Sequence, residues 1–179
     1  MVFAAAKVFA SQGYDQTTMQ DLARSMGLAT GAVYHYFGAK EQLLISICDQ
    51  LMEPLLTRAR TIVVDDASPR EHLRALVRLW VANVIEHRDH MLVFQQERHT
   101  IESGAQWRGV RDSRKAFDRL MEHALQEAGA HGPGGGDPQL AHLALLGMVN
   151  HTAQWYRPRG RLSSDEIADG YLALVLGLP

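Results

Sequence analysis

The sequence predicts an all-α protein of nine helices, a three-helix head at the N-terminal end followed by a larger helical body. Apolar residues recur at three- and four-residue spacing along almost the whole chain. No stretch alternates β-branched and polar residues between turn dipeptides, as a strand would. The breaks between periodic runs fall on Gly, on Pro, or on Ser, Thr and Asp in capping positions.

Residues 2–12 set Val2, Ala5, Ala6, Phe9 and Ala10 on one helical face, and Gly13 ends that run. Thr18-Met-Gln-Asp21 is a capping box with Asp as the acid, opening a helix with Met19, Leu22, Ala23 and Met26 inward. Gly27 breaks it, and a short helix from about Thr30 to Phe37 stops at Gly38. From Lys40 the pattern resumes through Leu43, Leu44, Ile47, Leu51 and Leu55 towards Val63, with a kink expected at Pro54. Asp65-Asp66-Ala67 is a turn. Ser68, Pro69 and Glu71 then supply an N-cap, an N1 proline and an N3 acid for a helix to about His87.

One helix is expected over about 89–101, and a long one over 105–128 after Ser103-Gly104. His131-Gly-Pro-Gly-Gly-Gly-Asp-Pro138 is a low-complexity loop, with Asp137 and Pro138 as N-cap and N1 of a helix reaching about Tyr156. Pro158 and Gly160 punctuate, and Ser163-Ser-Asp-Glu166 caps a last helix ending near Gly177.

A chain of 179 residues, 46% hydrophobic and 21% charged, has the composition of a globular domain with a real core. No apolar run approaches the roughly 20 residues that span a bilayer, and no signal-peptide pattern opens the chain. A cytoplasmic protein without a membrane partner is expected. The single cysteine, Cys48, excludes an intrachain disulfide and a Cys-based zinc site. Net charge is −2, so any nucleic-acid binding must come from a local arrangement of residues.

Such an arrangement is present. The second and third helices, joined by a tight turn at Gly27, read as a helix-turn-helix. Thr17-Thr18 starts a helix whose N–H groups and hydroxyls can face phosphate. The next helix has no large apolar residue before Val33, and Gly31 and Ala32 keep its first turn thin enough to approach base edges in a major groove. At residues 34–37 the spacing allows at most one of Tyr34 and Tyr36 into the core, and Phe37 is the better core candidate.

Gly13-Tyr14, Thr17-Thr18-Met19, Asp21-Leu22-Ala23, Gly27-Leu28, the run Gly31-Ala32-Val33-Tyr34-His35-Tyr36-Phe37 and Lys40-Glu41-Gln42-Leu43-Leu44 together resemble the TetR/AcrR family of bacterial repressors. The resemblance covers about the first 45 residues. It implies a helix-turn-helix DNA-binding domain over 1–45 and a ligand-binding and dimerisation domain over 46–179. It further implies a homodimer that binds a palindromic double-stranded DNA operator and leaves it when a small ligand enters the body. Thr18, Tyr36 and Lys40 fall on positions that touch phosphate in that family, and Thr30, Gly31, Tyr34 and His35 fall on its recognition helix. Trp155-Tyr156-Arg157-Pro158, with the residues C-terminal to it, bears a looser likeness to acyl-CoA-responsive members.

Two departures stand out. Residues 1–47 balance Lys7, Arg24 and Lys40 against Asp15, Asp21 and Glu41, and the usual basic stretch before the first helix is missing. Ala29 stands where a Ser cap is usual, and Thr30 could take that role with the helix start moved by one residue.

A ligand cavity in a helical body needs apolar walls and a few inward polar groups. Trp80, Asn83, Met91, Phe94, Gln95, Arg98, Trp107, Asn150, Gln154 and Trp155 offer that mixture. Each aromatic alone reads as core, whereas Asn83, Gln95, Arg98 and Asn150 need partners and are more telling. Arg98, with a basic stripe at Arg111 and Arg114, suits the anionic end of a hydrophobic effector. A fatty or sterol-derived acyl-CoA is therefore expected rather than a cationic drug, since Glu97 and Glu102 are the only obvious acids near that wall.

For assembly, Leu140, Leu143, Ala144, Gly147 and Met148 on one helix and Ile167, Tyr171, Leu174, Val175 and Leu178 on the last form wide apolar arcs. A two-fold four-helix interface between subunits is expected from them.

No Gly-x-Ser-x-Gly elbow, Walker loop or dinucleotide fingerprint occurs, so no catalytic residue is assigned. His87 and His90 have i,i+3 spacing but no third ligand at a helical offset, and read as solvated or capping rather than metal-binding. The alternative to a repressor is an all-α small-molecule-binding or structural protein whose helix-turn-helix no longer binds DNA.

Overall fold

The structure, a computed structural model, describes residues 1–129 and 137–177. Its regular elements are all helical: α1 (Val2–Gln12), α2 (Met19–Met26), α3 (Thr30–Phe37), α4 (Lys40–Ile62), α5 (Pro69–Glu86), α6 (Arg88–Gln96), α7 (Arg98–Glu102), α8 (Arg108–Glu127), α9 (Pro138–Trp155) and α10 (Ser164–Leu176). A 3-10 turn, Ala105–Trp107, precedes α8. Among the described residues there are thus ten helices rather than nine. The stretch expected as one helix over 89–101 divides at Glu97, whose backbone leaves the helical region (φ −95°, ψ 16°). Its N–H still reaches the Val93 carbonyl, and its own carbonyl still accepts from Ile101, so the break needs neither Gly nor Pro. Loop residues 131–136 and Leu178 lie outside the described part.

The caps form as the sequence indicates. Thr18 and Ser163 each complete a reciprocal capping box, with Asp21 and Glu166 respectively. Ser68 and Glu71 make the same pair of bonds ahead of Pro69, and Asp137 accepts from the Gln139 N–H. α4 is one unbroken helix through Pro54.

The chain forms two compact units, Met1–Glu53 with His87–Asp112 and Pro54–Glu86 with the residues from Ser113 onward. The first therefore joins the head to α6, α7 and the 3-10 turn, a division unlike the expected boundary after residue 45. Within it α1 buries Ala5, Ala6 and Phe9, α2 buries Met19, Leu22 and Ala23, and α3 buries Val33. Leu43, Leu44 and Ile47 of α4 are fully enclosed. Each large apolar side chain so buried stabilises the unit by roughly 1.5–3 kcal/mol before entropy is counted. The buried Cys48 thiol is pushed up to about 12 by desolvation.

α1 also lies against α6. There His90 is 1% exposed, and its Nε2 has no hydrogen-bond partner. The Phe3 ring meets it edge-on at 4.5 Å and His87 at 5.4 Å. Burial, then the neighbouring His87, holds the His90 pKa down to about 4. The expectation of a solvated histidine fails at this position because it faces α1.

In the second unit α10 lies on α5 and α9, and α9 on α5. Trp80 meets Phe117 edge-on at 5.1 Å. Arg74 and Arg78, one turn apart on α5, clamp Asp169 of α10. Each donates Nε–H to Oδ1 at 2.9 Å and Nη2–H to Oδ2 at 2.6 Å. Arg78 Nη1 also lies 3.2 Å from Asp165. The two guanidiniums hold the Asp169 carboxyl far below the usual carboxylate range.

Candidate nucleic-acid interface

α2 ends at Gly27 in left-handed geometry (φ 66°, ψ 29°), where a side chain would be strained. The Leu28 N–H returns to the Ala23 carbonyl at 2.9 Å, closing the turn. Ala29, in extended backbone, is the N-cap of α3 and offers no side-chain bond. Thr30 therefore sits inside the helix and does not take over the cap, which leaves its hydroxyl clear of that task.

The buried Val33 anchors α3, and the opposite side of the helix is open: Gly31, Tyr34, His35 and Tyr36 are all exposed. Tyr34 is 51% and Tyr36 62% exposed, so neither ring is core, while Phe37 is half-buried. Gly31 has no reason within the chain to be glycine. Its φ is not positive, and an added Cβ would meet nothing within 4 Å. Glycine inside a helix costs about 0.5–1 kcal/mol relative to alanine, so the empty position is a cost without an internal return.

Thr17 and Thr18 part company. Thr17 is buried, its hydroxyl donating to the Gly13 carbonyl at 2.7 Å, so its side chain does not reach an outer surface. Thr18 is exposed and caps α2 through Asp21, whose carboxyl is held below its usual range by these bonds. Lys40 Nζ donates to the carbonyls of Tyr14 (2.9 Å) and Thr17 (3.1 Å) and lies 4.3 Å above the Tyr14 ring. The half-buried ammonium thus braces the 13–17 loop and places a positive charge beside the start of α2.

The ten effector candidates are divided between the units. Met91, Phe94, Gln95, Arg98 and Trp107 belong to the first, Trp80, Asn83, Asn150, Gln154 and Trp155 to the second. Trp80, Asn83, Met91, Phe94 and Trp107 are buried, Gln95 and Asn150 half-buried, and Arg98, Gln154 and Trp155 exposed. Asn83, Gln95, Asn150 and Gln154 all have interaction partners. Arg98 is 71% exposed and its Nε donates to Glu102 at 2.8 Å. Arg111 spends its guanidinium on the Ile101 and Gly104 carbonyls. Trp155 instead lines a cavity of ≈ 240 Å³ with Tyr156, Arg157, Gly160, Arg161 and Leu162.

On α9, Leu140, Leu143, Ala144 and Gly147 are exposed and Met148 half-buried. On α10, Leu174 is 67% exposed and Tyr171 half-buried, its hydroxyl 2.8 Å from that of Thr152. Ile167 and Val175 face the other way, into the subunit's own core. They are inward residues and leave the outer arc to their neighbours. Among the described residues no helix is long and apolar enough to cross a membrane, and no three His, Cys, Asp or Glu converge as metal ligands.

Residues 2–47 match the model of the "Bacterial regulatory proteins, tetR family", and residues 66–178 that of the "Tetracyclin repressor-like, C-terminal domain". The chain belongs to the TetR family. Like the family it is a transcriptional regulator and not an enzyme. This TetR-family chain is 31% identical to the transcriptional repressor KstR2 of Mycolicibacterium smegmatis, over 97% of its own length and 85% of that protein's. Among solved structures, the ketosteroid transcriptional regulator KstR2 of Mycobacterium tuberculosis superposes with a TM-score of 0.87 at 27% identity, covering 98% of this chain and 91% of that one. AibR, solved with isovaleryl coenzyme A and operator DNA, superposes at 0.82 with 28% identity, covering 99% and 96%.

Reasoning from the sequence of this TetR member missed Arg161, which joins Arg157 around the exposed Trp155. The signal was available: arginines alternate at 157, 159 and 161 across a Pro/Gly turn, where no helix could bury them.

Proposed function

We propose that the chain is a ligand-responsive repressor which binds a palindromic operator as a homodimer and is released by a hydrophobic, acyl-CoA-type effector. The observation that carries the DNA reading is the outer side of α3, where an unfilled glycine lies among Tyr34, His35 and Tyr36, all exposed. Thr30 and Gly31 lead the helix into the major groove, Tyr34 and His35 come next, and Thr18, Tyr36 and Lys40 meet phosphate. Thr17, buried and bonded to the Gly13 carbonyl, holds the turn that leads into Thr18.

Gly31→Ala separates this reading from a purely structural one. It should raise stability in urea by about 0.5–1 kcal/mol, through helix propensity alone. In a mobility-shift titration it should weaken operator binding, because the methyl enters space meant for DNA. Tyr36→Ala should weaken all duplexes alike, since phosphate contacts carry no sequence information. Unchanged affinity in both variants at low and moderate salt would overturn the interface.

The dimer uses the exposed arcs of α9 and α10. Two heads so joined can reach successive major grooves about 34–36 Å apart, and the effector favours a body conformation that no longer holds that spacing. The cavity at Trp155 supports an acyl-CoA-type effector: an exposed indole offers a stacking surface and Arg157 and Arg161 offer charge for phosphate. AibR, bound to isovaleryl coenzyme A, gives this choice a precedent. Acyl-CoA thioesters are expected to release the protein from its operator, and quaternary ammonium compounds are not. Trp155→Ala and Arg157→Ala should blunt the release about tenfold, whereas Arg98→Ala, its charge already met by Glu102, should change it little. Release by ammonium compounds alone would overturn the effector class.

A further inference from the structure

We propose that the cavity between α5 and α10 is a separate binding site for a small aliphatic carboxylate, with Arg70 and Arg74 as its anion seat. The cavity measures ≈ 290 Å³; Leu73, Leu172 and Leu176 form its apolar lining, and Arg70, Arg74 and Asp169 its polar rim. Leu73 and Leu172 belong to the buried core, so the floor is fixed. Arg74 is fixed as well, because Asp169 holds both its Nε and Nη2. Arg70 is exposed and stands next to this pair at the rim.

Charge and size choose the occupant. Of the charged residues that line the cavity, Arg70 and Arg74 stand against Asp169 alone, leaving a single positive charge in excess at the rim. A monoanion matches that excess; an amine would be repelled, and an alcohol would leave it unmet. A volume of ≈ 290 Å³ lies just under the roughly 300–1,000 Å³ of small-molecule sites and suits a short aliphatic acid. The site shares no residue with the cavity at Trp155. Asp169 is also a built-in competitor, since its carboxylate already occupies the guanidinium of Arg74.

That competition gives the test an unusual sign. Sodium octanoate is titrated into the full chain by calorimetry, with octanol and octylamine as controls. Octanoate should bind saturably and octylamine should not. Arg70→Ala should weaken octanoate about tenfold, a loss typical of a charge-assisted bond. Ala173→Phe, which fills the cavity, should abolish it. Asp169→Asn should strengthen octanoate severalfold by releasing Arg74 from its carboxylate, whereas mere loosening of α10 would weaken it. Arg70→Ala leaves the helix clamp intact and decides the matter alone if Asp169→Asn unfolds. Absence of saturable binding at millimolar octanoate, or equal affinity in the wild type, Arg70→Ala and Ala173→Phe, would overturn the site. Operator binding and its release by acyl-CoA should be untouched in Arg70→Ala, so this site and the repressor reading stand or fall separately.

Discussion

Replacing Ala144 or Leu174 by Glu is expected to convert the protein to a monomer in sedimentation and to remove most of its operator binding. Both positions are solvent-facing in the single chain, so neither substitution disturbs a core and circular dichroism should stay unchanged. In the proposed dimer each occurs twice at a two-fold contact, where every substitution acts on both subunits. Losing a buried leucine forfeits roughly 1.5–3 kcal/mol, and an unpaired carboxylate in the seam adds several more. The DNA consequence is one of linkage. A second head tethered by the dimer binds at high effective concentration, and severing the tether costs on the order of 10²–10⁴ in affinity. A wild-type protein that sediments as a monomer at micromolar concentration, or a Leu174→Glu variant that remains dimeric, would refute the interface.

Acidification from pH 7 to 4.5 is expected to cost the first unit about 2–3 kcal/mol through His90 alone. The imidazole is held near pKa 4 when folded and returns to about 6.5 when unfolded, so the unfolded chain takes up the proton first. Stability is complete above pH 6.5 and drains away as pH falls towards 4. His87 opposes the charged form and Asp89 favours it, and α1 supplies the Phe3 ring. Asp169 acts in a different window. Its carboxyl is held below the usual range, so that contribution is lost only at more acid pH. Chemical denaturation of wild type and His90→Phe across pH 7 to 4.5 separates the two, since Phe keeps an aromatic ring against Phe3 but cannot titrate. Parallel curves for both proteins would show that His90 is not the acid-sensitive group.

What could be read from the sequence was what is local. Thr18, Ser68, Asp137 and Ser163 announce helix starts because each bonds within two or three residues of itself. The α6/α7 break could not be read, since Glu97 turns the chain with no Gly or Pro to mark it. Thr17 and Thr18 look interchangeable as neighbouring hydroxyls, yet one residue of offset sends the first inward. Arg98 looked like an embedded charge seeking a ligand, although Glu102 four residues on was its ready partner. The Asp169 clamp joins positions 91 and 95 residues apart, a distance at which no spacing rule operates.

Cys48 gives the molecule a practical property. A thiol fully enclosed and protonated to about pH 12 offers no thiolate to a maleimide or methanethiosulfonate reagent in the native state. The wild-type chain is therefore spectroscopically blank towards thiol labelling. One new cysteine at an exposed position such as Ser11 becomes the single reactive sulfur in each subunit. In a symmetric dimer that places two probes related by the two-fold axis, and electron-spin or fluorescence distances between them read the separation of the heads as a ruler, with and without an effector.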